Sequence, residues 1–209
     1  YINYHEKEDT DLWVWLGDNA YSSGTEQEYQ KYVFEVYPKE LARMGLWTTP
    51  GNHDYSSIDT ITQEGPYYDL FTMPTKGEAG GMPSENEAFF SFDYANIHFI
   101  SINSEYAPNI SSDSTPLINW LEKDLQQTNK DWIIAFWHQP PYTKGTHNSN
   151  DLRSKMSLMR IHVNPILEKY GCDLVICGHS HGYERSYLLK GHFGISNSLN
   201  PSMIIDSSN

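Results

Sequence analysis

The stretch DLWVWLGDNAY, Asp11 to Tyr21, decides the fold. Its apolar run, Leu12 to Leu16, reads as a buried strand. The strand ends in Gly17 and a carboxylate, Asp18, and a phenol follows three residues later at Tyr21. At that spacing the pair is either an ordinary turn or two oxygen ligands of one metal. The rest of the chain has to choose between them.

Working outward, strands alternate with helical patterns. TEQEYQKYVFEVYPKELARM, residues 25–44, places Tyr29, Tyr32, Val33 and Val36 at helical spacing, and LWTTPGNHD, residues 46–54, is the next strand and its turn. From Thr60 to Glu87 the chain carries Gly77, Gly80, Gly81, Pro66, Pro74 and Pro83, an irregular excursion of the kind that borders sites. FFSFDYANIHFISIN, residues 89–103, reads as a hairpin turning near Ala95 and Asn96. Thr115 and Pro116 form an N-cap and first-turn pair for the helix PLINWLEKDLQQ, residues 116–127. The strand WIIAFWH, a helix across residues 151–170 and the strand DLVICGH follow, with no internal repeat. Four apolar strands thus end in Asp18, Asn52, His138 and His179, at the carboxyl ends where open α/β sheets place their ligand sites.

With 209 residues, 38% hydrophobic and 20% charged, the chain suffices for one soluble domain with a sizeable core. Its longest apolar runs fall far short of the roughly 20 residues a membrane span needs. A net charge of −13 repels a nucleic-acid backbone, so an anionic substrate has to be held by a local positive charge. Cys172 and Cys177, in a C-x4-C spacing without a second pair, fit buried thiols better than a zinc ribbon. Neither end resembles a natural terminus, so residues 1–209 are expected to be a fragment of a single catalytic domain that lacks its C-terminal strands. Asn109 opens an Asn-Ile-Ser triplet of the glycosylation type.

Taken singly, GHSH, GNHD and WHQPPY are weak signals. Together Asp18, Tyr21, Asn52, His138, His179 and His181 form an oxygen and nitrogen donor set without thiolate, suited to iron, manganese or zinc at a hydrolytic site. The set exceeds what one tetrahedral ion uses, and two ions sharing a bridging carboxylate account for the number.

The ordered run GDxxY, GNHD, a strand-terminal His138 and GHSH, with GHSHGYERS beyond, resembles the calcineurin-like metallophosphoesterase superfamily and, through Tyr21, its purple acid phosphatases. The resemblance implies an α/β fold, a four-layer α/β/β/α sandwich of two mixed sheets flanked by helices. It implies a secreted or periplasmic acid phosphatase that cleaves small phosphomonoesters by attack of a metal-activated water, with no nucleic-acid partner. Tyr21 and His181 would bind Fe(III) with Asp18 as the bridge, and Asn52, His138 and His179 would hold a divalent ion, iron, zinc or manganese. His53 would lie unliganded beside the substrate, with Asp54 orienting its ring, and His147 would be a further substrate-facing histidine; the two imidazoles could protonate the leaving alkoxide.

The family's first motif, an Asp-bearing strand ahead of GDxxY, has no match before Leu12, where Asp9 and Asp11 lie in a polar approach. Either it lies upstream of residue 1 or the site is incomplete. The alternatives are a phosphodiesterase on the same core and a non-catalytic metal-binding surface module. Glu184 and Arg185 read as support for the GHSH turn or an ordinary ion pair, His98 as a strand residue, and His5, His162 and His192 as unpartnered.

Overall fold

The computed structural model describes residues 10–59, 62–109 and 115–208. His5, Asp9, Thr60 and the last two residues of the Asn-Ile-Ser triplet lie outside them. Strands β1 (Leu12–Trp15) and β2 (Gly45–Thr48) pair in parallel. A second sheet has the order β3-β4-β5-β6, from Phe90–Tyr94, Ile97–Ser101, Trp132–Trp137 and Leu174–Cys177. Only β3 runs antiparallel in it, paired with β4 through the expected turn, where Ala95 takes a positive φ of 52°. A small antiparallel pair, β7 (Leu188–Leu189) with β8 (Ile204–Asp206), follows.

The second sheet is covered on both faces, as its apolar strands require. One face, with Ile100, Ile133, Ala135 and Trp137, packs on helix α4 (Pro116–Gln127) through Leu117, Leu121 and Leu125 and on the later helical segment through Met159, Val163 and Leu167. The other face meets the first sheet. There Trp47, Phe92 and Phe99 form a continuous stack, with centroid separations of 3.6 and 4.8 Å, that ties β2 to β3 and β4. This is the mixed two-sheet α/β architecture expected from the sequence. No helix among the described residues is long and apolar enough to cross a membrane.

Helix α4 has the expected bounds, with the Thr115 hydroxyl accepting from the Ile118 amide. Residues 25–44 depart from one continuous helix. α1 (Glu26–Tyr29) runs into a π-type turn over Gln30–Phe34, then breaks before α2 (Pro38–Leu41), because Pro38 has no N–H and disfavours a helical residue before it. Tyr29 and Val33 are buried, whereas Tyr32 and Val36 face solvent. The helix expected over 151–170 starts only at Lys155, capped by Ser154, as α5 (Lys155–Leu158), a π-type segment (Met159–Val163) and α6 (Asn164–Lys169). Among its described residues the irregular segment contains one short helix, α3 (Pro66–Leu70), and this part helps close the core: Tyr67, Tyr68, Phe71 and Met73 are buried.

Cys172 and Cys177 are free and partly buried, and burial pushes the Cys172 thiol up to about 11 and Cys177 well above its ordinary value. His98 is buried, and its Nδ1 and Nε2 each lie 2.8 Å from a carboxylate, Asp93 and Asp124. Asp124 also accepts from the Met82 amide and the Ser91 hydroxyl, so this cluster ties the irregular segment to α4. Burial opposes a charge on His98, yet Asp124 and then Asp93 outweigh it and the pKa is raised. A raised folded pKa adds stability that is complete below the unfolded value of about 6.5 and is lost as pH rises through the folded value. His98→Asn should therefore lower the melting temperature at pH 5.5 by more than at pH 8.5. Equal losses at both pH values would contradict the charged pairing.

Candidate metal centre

Within each sheet the parallel strands point their carboxyl ends the same way, and the turns beyond β1, β2, β5 and β6 meet around His138. The turns touch because glycine precedes three of the donor residues. A Cβ on Gly51 would lie 2.2 Å from the Asp18 amide nitrogen, and one on Gly178 would strike the Leu16 carbonyl at 2.6 Å. Asp18 and His179 take left-handed φ values of 53° and 63°, an uncommon conformation for side-chain-bearing residues that is found at functional turns.

His138 lies at the centre, and its ring is 1% exposed. Its Nδ1 is 2.8 Å from the Leu16 carbonyl, which only accepts, so Nδ1 carries the hydrogen. Around Nε2 stand Asp18 Oδ2 at 3.2 Å, Asn52 Oδ1 at 3.1 Å and His179 Nδ1 at 3.1 Å. Three lone-pair atoms crowded on a fourth repel one another unless a cation or a proton lies among them. The donors of Asp18, His138 and His179 all lie within 4.8 Å of one another, a spacing that fits a metal ion.

The other expected donors are adjacent. Tyr21 donates to Asp18 Oδ2 at 3.0 Å, and its oxygen is 3.1 Å from His181 Nε2. The structure thus brings Asp18, Tyr21, Asn52, His138, His179 and His181 to one place. Burial opposes the Asp18 charge, but His138, the His53 amide and Tyr21 overcome it and hold the carboxyl down at about 2. Burial and the Asp18 charge push the Tyr21 phenol up to about 12. His138 is raised despite burial, chiefly by Asp18, whereas burial and then the neighbouring His138 and His147 lower His179 to about 4.

His53 and His147 flank this group. The His53 ring lies 4.5 Å from that of Tyr21, its Nδ1 is 2.5 Å from the Ser22 carbonyl, and its amide donates to Asp18 Oδ1. The His147 ring stacks on His179 at 3.9 Å.

Asp54 corrects one expectation: it does not orient the His53 ring. It is fully buried and turned inward, accepting from the Asn19 amide and side chain, the Gly51 amide and the Tyr29 hydroxyl. Burial raises its pKa, although those donors pull the other way. Asp54 braces the Asp18 and Asn52 turns against each other, and the Ser22 carbonyl orients His53.

Sequence reasoning missed Asn19, which links the turns through Asp54 and the Thr49 carbonyl, and Arg160, which is 1% exposed. The only local signal for Asn19 is its place inside GDNAY. Arg160 donates to the Pro141, Ser149 and Phe193 carbonyls and so ties down both ends of the His147 loop. His192, expected to be unpartnered, stacks with Tyr142, whose hydroxyl donates to the His192 carbonyl.

Comparison with known proteins gives a consistent answer. The calcineurin-like phosphoesterase family model matches residues 1–183. Purple acid phosphatase 18 of Arabidopsis thaliana is 29% identical over 81% of this chain and 37% of its own length. Purple acid phosphatase 13 of the same plant is 33% identical over 80% of this chain and 30% of its own. The chain thus spans about a third of the length of these relatives. Among solved structures, purple acid phosphatase PPD1 from yellow lupin (Lupinus luteus) seeds superposes with a TM-score of 0.70 at 20% identity, over 90% of this chain and 33% of that one, a likeness of fold.

Proposed function

The chain belongs to the calcineurin-like phosphoesterase family, and from that premise we propose that it is a metal-dependent acid phosphatase that cleaves small phosphomonoesters at a two-metal centre. The observation that carries this reading is the convergence of Asp18, Asn52 and His179 on His138 Nε2, all within 3.2 Å, with Tyr21 and His181 alongside. In this reading Asn52, His138 and His179 hold a divalent ion, iron, zinc or manganese. Tyr21 and His181 would hold Fe(III), and Asp18 would be shared by both ions. Such ions, when bound, acidify a coordinated water and offset charge on the phosphoryl oxygens.

The chain's own residues do the rest. Asp18, held down at about 2, is a carboxylate at acidic and neutral pH, and its one negative charge would be shared between the ions. With its Nδ1 committed to the Ser22 carbonyl, His53 keeps Nε2 to carry a proton toward the leaving-group oxygen. His147, stacked on His179, supplies a second imidazole beside the donor group. With both ions held, the site would carry the local positive charge that draws in a phosphate ester although the chain as a whole carries −13.

The test is hydrolysis of nitrophenyl phosphate beside its bis-nitrophenyl diester, with elemental analysis, on intact protein purified without chelator. The monoester should turn over faster, and two ions per chain, one of them iron, should be found. A faster diester would replace the reading with a phosphodiesterase. A protein with neither metal nor turnover would be a non-catalytic module.

Tyr21 gives a second readout. Its phenol, pushed up to about 12, stays protonated at neutral pH without a ferric partner. Ferric ligation should ionise it and colour the oxidised protein, and Tyr21→Phe should remove the visible band with the fold intact. Iron-loaded wild type that is colourless in every oxidation state would end the purple-type assignment.

A further inference from the structure

Four contacts join the His147 loop to the GHSH turn, one of them direct between the Thr143 and Ser180 hydroxyls at 2.9 Å. The Glu184 carboxylate accepts from the Thr143 hydroxyl, from the Lys144 amide at 2.9 Å and from the Ser180 hydroxyl at 3.1 Å. The His181 amide donates to the Thr146 hydroxyl at 3.1 Å. The His147 ring stacks on His179 at 3.9 Å. Ser180 sits between the two histidines of the turn, so Glu184 grips the loop and the turn with the same pair of oxygens. The base of the loop is held independently by Arg160, through Pro141 and Ser149.

We propose that Glu184 is a positioning residue that sets where His147 stands over the site by clamping residues 143–145 to Ser180. The proposal rests on the phosphoesterase reading, in which His147 faces the substrate. A carboxylate suits the task because it only accepts, and the clamp presents two hydroxyls and an amide that can all donate to it. The role follows from a division of labour. Arg160 fixes the ends of the loop, and without Glu184 the Lys144 amide loses its acceptor while the Thr143–Ser180 and Thr146–His181 hydrogen bonds and the histidine stack remain. Loss of Glu184 should therefore loosen the tip around Lys144 and leave the fold and the donor residues in place.

Hydrogen exchange on the intact, metal-free protein tests the clamp without reference to activity. In Glu184→Ala the Lys144 amide should exchange on the order of tenfold faster, as expected for a lost hydrogen bond to a charged group. Amides of β4 and β5 should be unchanged, and Glu184→Gln, which keeps one accepting oxygen, should fall between. A double-mutant cycle on the metal-loaded protein tests the route through His147. Glu184→Ala and His147→Ala should each lower kcat with metal content unchanged, and the double variant should be no slower than His147→Ala within about twofold.

Unchanged Lys144 exchange overturns the clamp. Multiplicative defects, or metal loss from Glu184→Ala, overturn the route through His147 and make Glu184 a support of the turn itself. An inactive parent protein whose Lys144 exchange responds as expected retires the phosphatase reading and leaves the clamp standing.

Discussion

His138→Ala should abolish the divalent site and cut kcat/KM by at least about 10³-fold. The size follows from removing a Lewis acid worth several kcal/mol of transition-state charge, at about 1.4 kcal/mol per tenfold. His138 is the atom-level hub, because Asp18, Asn52 and His179 all address its Nε2 within 3.2 Å. Alanine would leave those three donors without the centre of their set. Its imidazole is also the group that opposes the Asp18 charge in the metal-free protein, so the variant should let the Asp18 carboxyl titrate upward from about 2. Elemental analysis of the variant beside wild type, with kinetics at saturating zinc, checks the first part. Full activity with a stoichiometric divalent ion would remove His138 from the centre.

His53→Ala should behave in the opposite way, keeping both ions while slowing turnover of an alkyl phosphate by roughly 10²–10⁴-fold, the range for a lost general acid. Its Nδ1 is occupied by the Ser22 carbonyl, and the ring contacts Tyr21 instead of joining the cluster around His138. The defect should shrink for nitrophenyl phosphate, whose leaving group needs little protonation. Measuring both esters beside metal content separates the roles. Metal loss would make His53 a ligand, and equal defects on both esters would leave it a binding role only.

The clearest sequence signals were local ones. The Thr115 cap with Pro116 set helix α4 because a hydroxyl and a fixed φ act within one turn of chain. The β3–β4 hairpin was legible from its alternation and from Ala95 and Asn96 at the bend. The helical spacing of Tyr29, Tyr32, Val33 and Val36 reaches only to Val36, and the break that follows is a property of Pro38, which starts the next helix. The irregular segment was legible as irregular, but its direction was not. Tyr67 and Tyr68 turn into the core because packing against Thr48 and Tyr55, far off in the chain, decides it.

The sequence by itself determined that apolar strands end in Asp18, Asn52, His138 and His179, since strand composition and its termination are properties of neighbouring residues. It also determined the chemical alphabet of the site, oxygen and nitrogen donors without thiolate. Only the tertiary structure decided which atom of each residue faces which. His138 takes its tautomer from Leu16, 122 residues away, and meets Asn52 across 86 residues. Asp54 sits next to His53 in the chain yet turns from it toward Asn19 and Tyr29, because burial leaves its carboxylate no better donors than those. A buried polar group is stable only with its partners made, and in a two-sheet fold the chain brings those partners from turns that are distant in sequence.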